Sequence, residues 1–238
     1  KTVAAELAKT ATSEVKVIVR GGTYNVGTGL NFTVTDSGTE TAGIHFQAYQ
    51  DEKVSLTNTI KLDNTKFSLV TDEETLNRIP AEARGKVYAI NLTACGITYF
   101  GQIYRTGSAS GYLANPGSRM LIVDDSWYTI AKWPNGGYGT IKEVLNSTGL
   151  GGHKFSYSEN VGNRWATATE PWVFAYFYHL WSDDLLPIKE IDCVNKTILT
   201  KGTHWYGIRN DRPFSVLNLL EELDIPGEWF LDTATGML

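Results

Sequence analysis

The chain of 238 residues carries a formal net charge of -5, with 42% apolar and 12% aromatic residues. That suffices for a folded core in one large or two ordinary domains, and the lack of any basic cluster argues against a nucleic-acid or anionic-membrane partner. No apolar run reaches the roughly 18 residues of a membrane span, so no membrane insertion is expected.

In chain order, residues 2–11 read as a short helix with Thr2 as N-cap and Val3 and Leu7 on one face. Such a helix would cover the open end of whatever sheet follows. Val15, Val17 and Val19 then alternate with other residues, and Arg20-Gly21-Gly22 breaks the run. Leu30, Phe32 and Val34 alternate up to the turn formers Asp36-Ser37-Gly38-Thr39. Ile44, Phe46 and Ala48 make a third strand, and Val54 and Leu56 begin a fourth. Val17 to Ile44 and Leu30 to Val54 recur at a solenoid-like spacing, which reads as two coils of a parallel β-helix. Alternation alone suits an antiparallel meander equally well.

After Leu56 the period ends. Thr71-Asp72-Glu73-Glu74 has the spacing of a capping box, so a helix capped by Thr71 should run to about Arg78 and stop near Pro80. Tyr88, Ile90 and Leu92 alternate as a strand, and residues 107–117 are loop-like. Residues 120–123 and 128–132 flank Asp124-Asp125-Ser126 as a hairpin, which leads into a rigid aromatic loop over 133–138. Residues 172–180 are apolar without alternation, as in a strand buried on both faces. A second hairpin joins 188–192 to 197–201, and 214–223 read as a short helix ended by Pro226-Gly227. Residues 228–232 read as a strand, followed by a turn and a returning strand at Met237-Leu238 with no room to finish. The native protein is therefore expected to continue beyond Leu238.

Cys95 and Cys193 are read as free thiols, since their spacing says nothing about pairing. Sequons stand at Asn31, Asn91, Asn146 and Asn195, in a chain rich enough in Asn and Thr to produce them by chance.

Val17-Ile18-Val19-Arg20-Gly21-Gly22-Thr23-Tyr24, Asp36-Ser37-Gly38-Thr39 and the turn from Ala48-Tyr49 to Glu52-Lys53-Val54 resemble the first coils of secreted right-handed parallel β-helix proteins similar to glycoside hydrolase family 141. Ala131-Lys132-Trp133-Pro134-Asn135, Trp181-Ser182-Asp183, and the stretch from Asn218-Leu219-Leu220-Glu221-Glu222-Leu223 to Gly236 resemble the insert that interrupts the helix in that group. Lys132 stands where the resemblance leads to Arg, and Ala175 where it leads to Gly. The resemblance implies a mainly β fold: residues 1–59 as a capping helix with the first coils of a right-handed parallel β-helix, 60–226 as a β-rich antiparallel insert of barrel or sandwich type, and 227–238 as a hairpin leading back to the helix. It implies a secreted or cell-surface protein, active on plant-type polysaccharide such as xylan or fucosylated pectin. The piece itself is then expected to be inactive, because the catalytic groove lies along later coils. A non-catalytic glycan-binding or structural β-helix protein is the alternative, and a monomer is expected in either case.

Glycoside hydrolysis usually needs two carboxyl groups about the scissile bond. Asp183 is the favoured candidate, being next to Trp181 and near His179, where partial burial would raise its pKa. Asp184, Glu170 and Glu228 are further candidates, and all four equally suit cap, turn and strand-end roles. Trp133, Tyr138, Trp181, Trp205 and Tyr206 are candidates for stacking on sugar rings, with core packing as the alternative, and His204 is either a donor to ligand or a satisfied surface side chain. Adjacent acids such as Asp124-Asp125 point apart in a strand and no calcium-loop motif occurs, so no cofactor is implied and calcium alone is left open.

Overall fold

A computed structural model describes residues 2–27, 29–108, 119–147 and 149–238, with side chains of the first helix from Ala4 onward. Thr2, Val3, Thr148 and most of the loop-like stretch 107–117 therefore lie outside the described side chains. The chain divides into two units, residues 1–64 and 65–238.

In the first unit, helix α1 (Thr2–Ala8) ends three residues earlier than its sequence suggests. The Thr10 hydroxyl donates to the Leu7 carbonyl at 3.4 Å, a local bond of the kind that competes with helix continuation. Ala4, Ala5 and Ala8 form the buried face, whereas Leu7 is 57% exposed. Strands β1 (Val15–Val19), β2 (Gly22–Asn25), β3 (Ile44–Ala48) and β4 (Val54–Thr57) follow. β1 pairs with β3 and β2 with β4, both in parallel, so the segments near Val17 and Ile44 are stacked neighbours. The register differs from expectation by two residues, since Val17 faces Phe46 and not Ile44. Val54 faces Gly22 and not Leu30. No strand forms around Phe32. The Asp36 carboxylate accepts from the Thr33 amide at 3.0 Å and closes a 3-10 turn (Val34–Asp36), leaving Leu30, Phe32 and Val34 exposed.

In the second unit, β5 (Ser68–Leu69) pairs antiparallel with β6 (Tyr88–Ala89). Between them lies α2 (Glu73–Arg78), whose N-cap is Asp72, one residue past Thr71; its Oδ1 accepts from the Thr75 amide at 2.8 Å. The Tyr88 strand is short, and its continuation is met by the chain end: the Ile90 amide donates to the Leu238 carbonyl and Met237 bridges Asn91 and Asp232. β7 (Leu121–Val123) and β8 (Ser126–Ile130) form the expected hairpin. Asp124 and Asp125 both have positive φ, as a tight two-residue turn of this twist requires. β9 (Lys132–Trp133) follows directly.

The body of this unit is built from β10 (Gly139–Asn146), β11 (Lys154–Tyr157), β12 (Trp172–Ala175), β13 (Asp184–Asp192), β14 (Thr197–Thr200) and β15 (Pro213–Leu217). Their order is β10-β11-β14-β13-β12-β15, and β15 returns to β10, so six antiparallel neighbours close a barrel. β9 pairs with β15 at Val216 and Leu217, continuing the edge that β10 occupies at Pro213 and Phe214, and β16 (Glu228–Trp229) runs parallel to β8. Among the described residues most pairings are thus antiparallel, and the three parallel ones, β1–β3, β2–β4 and β8–β16, do not amount to the expected parallel β-helix. β10 and β13 carry register shifts, at 141/143, 144/146 and 188/190, which bend them around the ring. The expected β13–β14 hairpin is present.

Two expectations fail here for the same reason. The apolar run after Pro171 alternates in burial, with Val173, Ala175 and Phe177 fully inward and Phe174 and Tyr176 half-exposed, because a barrel wall has one inner face. Residues 214–223 begin as strand and not helix: Phe214 and Val216 point inward at 0% exposure while the backbone pairs with β9, β10 and β12. A 3-10 turn (Leu220–Glu222) takes over only after Asn218.

The core runs as a file of rings. Trp165 meets Trp133 at 5.3 Å, Trp133 meets Phe214 at 5.7 Å, Phe214 meets Phe155 at 5.4 Å, and Phe155 meets Phe177 at 6.5 Å. Gly139 sits where this file crosses the β10–β15 seam, and a methyl there would lie 2.6 Å from Trp133 Cζ3 and 2.9 Å from Phe214 Cε1. Gly139→Ala should cost about 1–3 kcal/mol through overpacking. All seven tryptophans fall within residues 65–238, so urea unfolding followed by tryptophan fluorescence reads that unit alone. An unchanged midpoint would show that the seam tolerates a side chain.

Candidate functional site

The ring file ends at Phe177 on two histidines, His153 at 5.4 Å and His204 at 5.9 Å. Both are buried, as are Ser182 and Asp184 beside them. Arg105 grips Asp184 with two bonds, Nε to Oδ1 at 3.1 Å and Nη2 to Oδ2 at 2.7 Å, and also donates to the Thr203 carbonyl at 2.8 Å. His204 Nδ1 lies 3.1 Å from Asp184 Oδ2 and its Nε2 lies 3.2 Å from Ser182 Oγ. Because the Ser147 carbonyl must accept, His153 carries its proton on Nδ1, 2.6 Å away, and its Nε2 accepts the His204 amide at 2.7 Å.

Burial pushes the Asp184 carboxyl upward, but His204 and Arg105 outweigh it and hold the group below the usual carboxylate range. For His153 burial wins over the Ser147 carbonyl, and its pKa is pushed down to about 4. The Ser182–His204–Asp184 order matches that of a nucleophile triad. It cannot act as one: Ser182 has 0% exposure, so no substrate reaches its hydroxyl, and Asp184 is neutralised by Arg105. The network is a buried scaffold.

Next to it in sequence stands an exposed group of rings. Trp181 is 63% exposed and stacks on His179 at 5.1 Å and 14°. Tyr206 meets both edge-on, at 5.5 Å and 5.0 Å. Trp205, between buried His204 and Tyr206, is 80% exposed. Trp181 and Trp205 are thus both open to solvent. Tyr138 is also exposed, but belongs to a separate patch with Phe174 at 6.2 Å and Tyr176 at 6.3 Å. Trp133 is drawn into the core against Trp165 and Phe214, and His204 is 2% exposed with both ring nitrogens engaged. Neither is a surface contact. Asp183 is tied to a loop: its Oδ1 accepts from Ser108 Oγ at 2.6 Å and the Ser108 amide at 3.2 Å.

Sequence reasoning missed a second polar group, at the opposite terminus of the ring file. Trp165 Nε1 donates to Glu222 Oε1 at 2.5 Å, and Arg164 reaches the same carboxylate through Nε at 2.5 Å and Nη2 at 3.1 Å. Arg78 Nε and Nη2 donate to Glu221 Oε1 at 2.9 and 2.8 Å, joined by Thr167 Oγ1 at 2.9 Å. Both glutamates line a cavity of about 270 Å³. Burial raises the Glu222 pKa more than Trp165 and Arg164 lower it. The available signal was an acidic pair flanked by Leu219, Leu220 and Leu223, a setting where solvated carboxylates are unexpected. Among the described residues no group of three or more His, Cys, Asp or Glu is placed to hold a metal ion, and no helix is long and apolar enough to cross a membrane. Cys95 and Cys193 are unbridged.

No family model and no curated protein matches the sequence. Among solved structures, one described as "Glycoside hydrolase" superposes with a TM-score of 0.65 at 17% identity, over 99% of this chain. That likeness concerns the fold. The chain spans 37% of that structure's length.

The His153 environment has a measurable consequence. A free histidine titrates near 6.5, so between about pH 6.5 and 4 the unfolded chain binds a proton that folded His153 refuses. Stability should be full above about pH 6.5 and fall by the order of 3 kcal/mol as pH drops to about 4. His153→Gln keeps one donor and one acceptor without titrating. Its urea midpoints should fall less steeply across that window, and an equal slope would remove His153 as the cause.

Proposed function

We propose that this chain is the part of a secreted or cell-surface, glycoside hydrolase-like protein that contains the start of a right-handed parallel β-helix and a glycan-binding barrel inserted into it. The reading is supported by the two parallel strand pairings of the first unit and by the fold likeness over nearly the whole chain. The observation that carries the glycan reading is the exposed Trp181–His179–Tyr206 group. Rings presented flat or edge-on on a rigid base lose little freedom when a sugar's C–H face lies against them.

Plant-type polysaccharide is the proposed ligand class, and the isolated chain is proposed to be a monomer that binds without cleaving. Asp183 is a weak catalytic candidate in this setting, because its carboxylate is committed to Ser108. The exposed Phe46, on the same face as Val17, is then a side chain that later coils of the β-helix would cover. A second reading, a non-catalytic glycan-binding β-helix protein, draws on the same platform and differs only in the chemistry of the remaining coils.

Calorimetry of the full chain with soluble xylan and fucosylated pectin tests the platform. Trp181→Ala should weaken binding about tenfold, the equivalent of about 1.4 kcal/mol and typical of a lost ring contact. Tyr138→Ala should leave affinity unchanged. Absence of binding to both polymers, or equal affinity in Trp181→Ala, would end this assignment.

A further inference from the structure

The loop between β9 and β10 holds a reactive pair that neither the barrel nor the exposed rings use. Asn135 is the only asparagine of the chain followed by glycine. Both residues are exposed, and the Gly136 amide donates to no group among the described residues. A methyl built on Gly136 would meet nothing within 4 Å, so the backbone nitrogen next to the Asn135 side chain is unshielded.

The Asn135 side chain is bonded to a carboxylate. Its Nδ2 donates to Asp224 Oδ1 at 2.7 Å, tying this loop to the connector that leads from β15 to β16. Elsewhere that connector is held by Arg78 on Glu221 and Arg164 on Glu222, so both guanidinium groups are committed and no cation pairs with Asp224 among the described residues. Burial raises the carboxyls of Glu222 and Glu228, and the charge of Asp224 adds to both shifts. A further negative charge beside Asp224 would enter a region already short of positive charge.

We propose that Asn135-Gly136 is a site of spontaneous deamidation, and that the carboxylate formed there faces Asp224 and loosens the β15–β16 connector as the protein ages. The Gly136 nitrogen gives its proton to solvent and bonds to Asn135 Cγ. The Cγ–Nδ2 bond breaks, and the side-chain nitrogen takes a proton from solvent and leaves as ammonia. Water then opens the cyclic imide, at Cγ to give aspartate or at the main-chain carbonyl carbon to give isoaspartate. Nothing is oxidised or reduced, and water is the only co-reactant. The product replaces a donor by an acceptor, so the bond to Asp224 becomes a repulsion between like charges, as for any charge-adding modification beside an acid. No step involves the Trp181 platform, so the site stands whether or not that platform binds glycan.

Incubation of the full chain at mildly alkaline pH and body temperature, followed by peptide mass spectrometry, tests the chemistry. Asn195 is the internal comparison, because it is also exposed and its Nδ2 also donates to a carboxylate, Asp192 Oδ2 at 2.7 Å, but Lys196 follows it. Asn135 should convert several-fold faster than Asn195, and Gly136→Ala, with unchanged melting temperature, should slow it several-fold. Asn135→Asp tests the consequence. Its urea midpoint should fall below that of the native chain, amide exchange at Leu223 and Asp224 should quicken, and adding Asp224→Asn should restore both. The proposal is overturned if Asn135 converts no faster than Asn195, if Gly136→Ala converts at the native rate, if Asn135→Asp leaves either stability or exchange unchanged, or if Asp224→Asn fails to restore them.

Discussion

Six strands close into a ring here only because two backbones meet where there is no side chain between them. β10 and β15 pair at Gly139 with Phe214 and at Thr140 with Pro213, Ile141 extends the seam by exchanging bonds of 2.8 Å with the Arg212 carbonyl and the Asp211 amide, and the ring of Trp133 occupies the space a Cβ of Gly139 would need. A larger residue would push the indole out of the core or part the seam. Closure removes the exposed edges that an open six-stranded sheet would carry. The strain of bending is taken up elsewhere, at the bulges of β10 and β13. There the freed Val144 amide finds Asn210 Oδ1 at 2.9 Å, and the adjacent Thr140 amide finds Glu159 Oε1 at 2.9 Å.

The core that this closure encloses is aromatic, and it joins two buried charge networks of opposite behaviour. At the Phe177 terminus Asp184 is held ionised by a forked arginine and a histidine that overcome its burial. At the Trp165 terminus burial prevails over Arg164 and the indole, and nearby Asp224 adds repulsion, so Glu222 is shifted the other way. A carboxylate's neighbours thus decide the sign even where burial is comparable. Breaking either network by removing one partner would strand a charge in a low-dielectric interior, which costs far more than the pair contributes when whole.

How much of this was legible depends on range. The parallel stacking of the first unit could be read because alternation repeats along the chain, but its register was displaced by two residues. A slip of two keeps every side chain on its own face, so pattern alone cannot detect it. Leu30, Phe32 and Val34 alternate as well, yet the Asp36 carboxylate closes a local turn. Residues 214–223 look helical because Leu and Glu dominate, while pairing on both flanks of β15 overrides propensity. Trp133, Trp181, Trp205 and His204 could all be named as candidates, but nothing beside them in sequence separates the exposed Trp181 and Trp205 from Trp133 and His204, which Gly139, Phe214 and Asp184 reach through the fold. The glutamate pair was invisible for the same reason: Arg78 is 143 positions from Glu221 and Arg164 is 58 from Glu222.

The two kinds of side chain around Trp181 are one device. Along Trp181-Ser182-Asp183-Asp184 buried polar residues alternate with more exposed ones, and buried His204 is followed by the exposed pair Trp205-Tyr206. Ser182, Asp184 and His204 are fixed by hydrogen bonds inside the barrel, while Trp181, Trp205 and Tyr206 stand in tight turns beside them, closed by the Ser182 amide on the His179 carbonyl and the Gly207 amide on the His204 carbonyl, both at 3.0 Å. The buried network therefore sets the orientation of the rings, and His179 stacked on Trp181 restricts the indole further. A platform ordered in advance gives up little side-chain entropy when it is covered. A cluster of charges too deep to reach solvent thus stands directly behind an exposed group of rings and holds it in place.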